Sequence, residues 1–82
     1  MHKDEIKRLI ETGMEAEEVI VQGDDGAHFE ALVVADAFAG KRTLQRHKIV
    51  YGTLGERMGR EIHALSLKTL TREELEQQQG DA

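Results

Sequence analysis

The chain has 82 residues, a formal net charge of -5 and no cysteine. A chain of this length fits a single domain over residues 1–82 with a small core, and only Phe29, Phe38 and Tyr51 are aromatic. The negative charge argues against general coating of nucleic acid, which needs a positive surface. Without cysteine, the chain forms no disulfide and no thiolate zinc or iron-sulfur site of its own.

The N-terminal region predicts a helix rather than a targeting segment. Residues 1–5 are charged and no apolar run follows them, so we expect neither a signal peptide nor a membrane span. A cytoplasmic location is therefore the default expectation. Residues 4–12 place Ile6, Leu9 and Ile10 on one helical face, which predicts a short amphipathic helix.

Two strands joined by a tight turn follow this helix. Residues 17–22 are rich in β-branched side chains, and residues 23–26 supply glycines for the left-handed conformations of a turn. Residues 27–35 then form a longer apolar segment in which Phe29 and His28 point to opposite faces. Both faces are at least half apolar toward the end of this segment, which indicates a central strand.

A helical period follows between residues 41 and 58. The apolar residues of this segment line one stripe, with Val50 beside it: Leu44, Tyr51, Leu54 and Met58. Glycines interrupt the segment at three positions, so the pattern predicts two short helices or one kinked helix.

The C-terminal part predicts a third strand and a last helix. Residues 60–70 alternate again, with His63 opening the strand and Leu65 on the same face. The crossover from the second strand through the helices should make this strand parallel to the second. Thr71 and Glu74 form a capping box, so a helix begins just after Thr71. The polar residues 76–82 have nothing apolar to bury and predict a disordered tail.

His28-Phe29 is followed along the chain by three segments, residues 38–41, 44–51 and 62–71. In this order, these motifs resemble the BolA family in its short-loop form. The resemblance runs from Ile6 to Leu75, and the combination of motifs is specific where each alone would be weak. It implies an α+β fold of order αββααβα, in which a three-stranded mixed sheet packs against helices as in type II KH domains. It also implies partnership with monothiol glutaredoxins in iron-sulfur cluster handling and, for some members, DNA-binding regulation in stress response.

The resemblance also implies the metal ligands. In the family a 2Fe-2S cluster is bridged between partners, with two thiolates from the glutaredoxin cysteine and glutathione and a histidine from the third strand, which matches His63. A second family ligand, His or Cys, comes from the region between strands one and two, where His28 is the only candidate of that type. Parallel strands start at one end of a sheet, so His28 and His63 should lie close together. Asp24 or Asp25 could contribute instead of His28, although oxygen ligands suit a cluster iron less well.

A basic segment offers a second interpretation. Lys41, Arg42, Arg46 and Lys48 place four positive charges within eight residues, with His47 among them. This segment could attract duplex DNA or an acidic partner, and the alternative is a solvated helix face. No arrangement of residues predicts catalysis, since there is no cysteine nucleophile and no Gly-rich phosphate loop after a strand. We expect an adaptor rather than an enzyme, monomeric alone or weakly dimeric, with a DNA-binding regulator as the alternative.

Overall fold

The computed structural model describes residues 1–80, and residues 81 and 82 lie outside the described part. The described elements are α1 (Lys3–Gly13), β1 (Glu18–Gln22), β2 (His28–Val34), α2 (Thr43–Leu54), β3 (Ala64–Leu70) and α3 (Arg72–Gly80), with 3-10 turns at Asp36–Phe38 and Gly55–Arg57. Within this range no helix has both the length and the apolar character needed to cross a membrane.

The strands form one mixed sheet with β2 in its centre. β1 runs antiparallel to β2 and pairs Val21 with Ala31, as expected for two strands joined by a tight turn. β2 runs parallel to β3 and pairs His28 with Ala64, which requires the long crossover through α2. The predicted α+β fold and the central position of β2 are confirmed.

The core lies between one face of the sheet and the helices α1 and α2. Ile6 and Ile10, one helical turn apart on α1, are fully buried, and so is Val50 of α2. From the sheet, Phe29 and its alternate neighbours are buried, whereas His28 is exposed on the opposite face. Full burial of such a side chain contributes about 1.5–3 kcal/mol, so this small set of aliphatic contacts holds the domain together.

The buried stripe of α2 differs from the predicted one. Leu44 is 67% exposed, and the buried apolar residues are Val50 and Leu54. Arg46 completes this stripe one turn earlier, since positions four residues apart share a helical face. α2 ends at Leu54 because Gly55 adopts a φ of 56°, a conformation that favours glycine over continuation of the helix. The predicted second helix is reduced to the 3-10 turn that follows.

β3 begins later than predicted, because the predicted strand covers residues 60–70 with His63 at its opening. Its first residue is Ala64, and the backbone N–H groups of His63 and Ala64 both donate to the carbonyl of Ala27, at 3.1 and 3.2 Å. This doubled donation breaks the strand alternation. As a result, Ile62 and Leu65 are both buried, and the two residues between them are exposed. The predicted placement of His63 on the same face as Leu65 is therefore wrong, and His63 reaches solvent.

The capping box at the start of α3 is present as predicted. The backbone N–H of Glu74 donates to the Thr71 hydroxyl at 3.1 Å, and the Glu74 carboxylate accepts from the backbone N–H of Thr71 at 2.8 Å. α3 continues to Gly80, further than the polar composition from residue 76 onward predicts. Once a helix has started, each added residue gains a hydrogen bond, and glutamine is a good helix former. Residues 81 and 82 of the predicted tail lie outside the described residues.

Candidate functional site

The parallel start of β2 and β3 brings two histidines together. His28 opens β2 and pairs in register with Ala64, the residue that follows His63. The centroids of the His28 and His63 rings are 6.5 Å apart, and their planes are 26° from parallel. Both residues are exposed on the surface. The predicted proximity of the pair is present in the structure, while the ligand role of each ring stays a prediction.

The hairpin turn holds the His28 ring through Asp25. Oδ1 of Asp25 accepts hydrogen bonds from the backbone N–H groups of Ala27 and His28, at 2.9 and 2.8 Å. Oδ2 of the same carboxylate lies 2.8 Å from His28 Nδ1. These hydrogen bonds, led by the one from the His28 backbone, hold the pKa of the Asp25 carboxyl below its usual range. The oxygens of Asp25 are engaged in the turn, which favours His28 over Asp25 as the second ligand.

The N-terminus lies beside the same turn, a feature that the sequence pattern did not indicate. The terminal amine of Met1 donates to the carbonyl of Gly26 at 3.3 Å. The His2 ring caps α1, because its Nδ1 accepts from the backbone N–H of Asp4 at 3.1 Å. Histidine is not among the preferred N-cap residues, so local composition gave no signal for this contact.

Arg46, predicted as a docking residue, is engaged inside the protein. Its guanidinium donates to both oxygens of the Glu74 carboxylate at 2.6 and 3.3 Å, and its Nε donates to the carbonyl of Lys41 at 2.8 Å. The guanidinium also lies 5.9 Å from the centre of the Phe38 ring. Only 12% of the Arg46 side chain is exposed. Arg46 therefore links α2 to α3, and its docking role stays a prediction.

The other cations of the basic segment face solvent. Lys41, Arg42 and Lys48 are exposed, and we call these three residues the basic surface. His47, also predicted for docking, is half-buried, and the edge of its ring packs against Tyr51 with centroids 6.2 Å apart. The basic surface thus contains three of the four cations of the predicted segment, and the docking role of the segment stays a prediction.

The donor set of the histidine pair fits one half of a mixed iron-sulfur site. Within residues 1–80, no group of three or more His, Cys, Asp or Glu side chains is placed to hold a metal ion. His28 and His63 instead supply two nitrogen donors. Two histidines replace two cysteines on one iron of Rieske 2Fe-2S centres, so a pair of imidazoles is a chemically competent half-site.

Comparison with known proteins decides the family. The family model described as BolA-like protein matches residues 5–74. The chain belongs to the BolA family. The resemblance that the sequence motifs carry is thereby confirmed, as is the fold that it implies.

Individual BolA relatives match over different parts of their length. The "DNA-binding transcriptional regulator BolA" of Escherichia coli K12 is 44% identical over 50 residues, which cover 61% of this chain and 48% of the relative. The "Acid stress protein IbaG" of the same organism is 35% identical over 72 residues, 87% of this chain and 84% of the relative. The structure of a "bolA protein homologue" from Coxiella burnetii superposes with a TM-score of 0.82 at 48% identity, covering 93% of this chain and 97% of that chain. The chain therefore spans about half the length of the Escherichia coli regulator BolA and most of the length of the other two proteins.

Proposed function

We propose that this BolA-family protein is an adaptor that binds a monothiol glutaredoxin and shares or transfers a 2Fe-2S cluster as cargo. The observation that carries the proposal is the His28–His63 pair, two exposed and stacked rings at one end of the sheet. The chain has no cysteine, so the glutaredoxin cysteine and its bound glutathione supply the thiolates of the shared site.

The chemistry of the pair supports a shared cluster. Imidazole binds iron as a neutral ligand, and replacing thiolates by histidines raises the potential of a 2Fe-2S centre. A cluster held partly by His28 and His63 should therefore be easier to reduce than one held by thiolates alone. Because both rings are exposed, a partner can bring a cluster to them without opening the core.

Reconstitution tests the proposal. The chain is mixed with a monothiol glutaredoxin, glutathione, iron and sulfide, and the visible spectrum is compared with that of the glutaredoxin alone. We expect a different spectrum for the wild type, loss of that difference with His63→Ala or His28→Ala, and its retention with His47→Ala, which removes an imidazole elsewhere. A wild-type spectrum equal to that of the glutaredoxin alone rejects the cluster role, and so does a difference that survives His63→Ala.

A second candidate function is duplex DNA binding as a regulator in stress response. Two observations favour it: the basic surface faces solvent in an otherwise acidic chain, and the Escherichia coli relative is named a DNA-binding transcriptional regulator. If the surface contacts phosphates, affinity should fall with salt, and replacing Arg42 and Lys48 by Gln should lower the salt slope by about 1 per lost contact. Lys7→Gln, an equal charge change on α1, is the control for one such replacement. Absence of binding at low salt removes this candidate.

A further inference from the structure

Asp25 contacts both the backbone and the ring of a candidate ligand. We propose that Asp25 is a positioning residue that fixes the His28 ring with its Nε2 atom free to bind a metal. This inference rests on the proposed cluster-sharing function, because it assigns a role to a residue that does not itself bind the cluster.

The hydrogen-bond chemistry sets the proton of the ring. An ionised carboxylate only accepts hydrogen bonds, so the hydrogen between Asp25 Oδ2 and His28 Nδ1, 2.8 Å apart, belongs to Nδ1. In the neutral ring the lone pair then lies on Nε2, which is the state that binds a metal. Histidine ligands almost always donate their other ring N–H to a carboxylate, a carbonyl or water, and this contact raises the basicity of the ligand.

The carboxylate is itself held in place. Oδ1 accepts from two consecutive backbone N–H groups, those of Ala27 and His28, at the start of β2. The same residue therefore fixes the turn with one oxygen and the ring with the other. The ring is thus oriented relative to the end of the sheet where His63 also lies.

Exposure argues that this contact orients the ring rather than stabilises the fold. The side chains of His28 and Asp25 are 68% and 53% exposed. Water and salt screen such exposed pairs, and their measured contributions to stability are small. A change at Asp25 should therefore alter the state of the His28 ring more than it alters unfolding.

Asn at position 25 separates the two tasks of the carboxylate. The side-chain oxygen of Asn can still accept from the two backbone N–H groups, which preserves the turn. Its amide group then donates toward His28 Nδ1, where the carboxylate accepted, so the proton must move to Nε2 and block the lone pair. Asp36→Asn makes the same charge change at an exposed residue beyond the other end of β2 and is the matched control.

The first readout is the proton position in the isolated protein. Long-range 1H–15N correlation spectra of the histidine rings are recorded at increasing pH until they no longer change, so that each ring carries a single proton. We expect His28 to carry its proton on Nδ1 in the wild type and in Asp36→Asn, and on Nε2 in Asp25→Asn. A wild-type His28 protonated on Nε2, or an unchanged tautomer in Asp25→Asn, overturns the proposal.

The second readout is cluster sharing with the glutaredoxin. Loss of such an outer-shell contact typically lowers metal affinity about 10- to 100-fold, so we expect a weakening of that size for Asp25→Asn and none for Asp36→Asn. An inverted tautomer with unchanged cluster affinity overturns the positioning role while leaving the cluster function intact. If the wild type forms no mixed complex, the proposed function fails and the ligand role of His28 with it. The spectra of the isolated protein still show separately whether Asp25 determines the proton position of the His28 ring.

Discussion

Ile62 anchors the segment that carries His63 to the core. Its side chain is fully buried, and its backbone N–H donates to the carbonyl of Arg57 at 3.0 Å. Its own carbonyl accepts from the backbone N–H of Gly59 at 2.9 Å. Side chain and backbone thus hold the turn that precedes β3, and truncation of Ile62 tests how much of this depends on the buried side chain.

The expected loss follows from burial. Ile62→Ala removes three carbon atoms from a fully buried site, and the lost transfer energy plus the remaining cavity predicts a destabilisation of about 3–4 kcal/mol. Ile20→Ala makes the same deletion at a side chain that is 42% exposed on the open face of the sheet, where about 1 kcal/mol is expected. For a domain of this size, 3 kcal/mol lowers the melting temperature by about 12–24 °C.

Urea and thermal unfolding of the two variants measure this difference. Ile62→Val removes a single methylene group and should destabilise by about 1 kcal/mol, so it serves if the alanine variant does not fold. If Ile62→Ala destabilises the protein no more than Ile20→Ala does, Ile62 is not the anchor of the segment, and the reasoning from burial is refuted.

Three further predictions concern the turn, the ion pair and the isolated chain. Gly23→Ala should destabilise more than Gly40→Ala in urea unfolding. Both glycines have positive φ. A Cβ atom at Gly23 would lie 2.6 Å from the carbonyl oxygen of His28, whereas a Cβ atom at Gly40 would meet no other atom within 4 Å, so equal losses would contradict this prediction. The Arg46 guanidinium holds the pKa of Glu74 at about 2, below the ordinary 4.5, so the stability from this carboxylate is present above pH 4.5 and lost as the pH falls toward 2. Glu74→Gln should flatten the acid-unfolding curve in that window, and an unchanged curve would show that the pair contributes nothing. Finally, the isolated chain, which has no thiolate, should retain no 2Fe-2S absorption after gel filtration, and a coloured eluate would contradict this.

The topology of the site could be predicted from the sequence because it depends on local signals. The glycines of residues 23–26 specify a tight turn, and the long crossover before β3 specifies a parallel strand. These two features alone place His28 and His63 at one end of the sheet. Their proximity in the structure therefore follows from chain connectivity.

The role of Arg46 could not be predicted in the same way. The apolar periodicity predicts that Leu44 is buried and that Arg46 is exposed. A long arginine side chain can nevertheless bury its stem while its charged end forms hydrogen bonds. The partner of Arg46 is Glu74, 28 positions along the chain, which no local pattern indicates. Arg46 lies one helical turn before the buried Val50, so its stem is covered while its guanidinium reaches Glu74, and Leu44 stays exposed.

The alternation of apolar residues could not predict the orientation of His63 either. Strand periodicity assumes one ladder contact per residue, whereas the carbonyl of Ala27 accepts from two consecutive residues and shifts the phase by one. This shift buries Ile62 and exposes His63. A single irregular contact at the start of β3 thus makes the ring available to a partner.

The two histidines are held by different means, and their supports should therefore be separable by mutation. The His28 ring is oriented by an exposed carboxylate, so Asp25→Asn should move the ring proton and leave the urea midpoint nearly unchanged. The backbone of His63 is held by the buried Ile62, so Ile62→Ala should shift the midpoint and leave the tautomer of His28 unchanged. Measuring both properties in both variants checks this separation. If Ile62→Ala also inverted the tautomer of His28, the contact between Asp25 and the His28 ring would depend on the packing of the core and not only on the hairpin turn. The two supports would then not be separable.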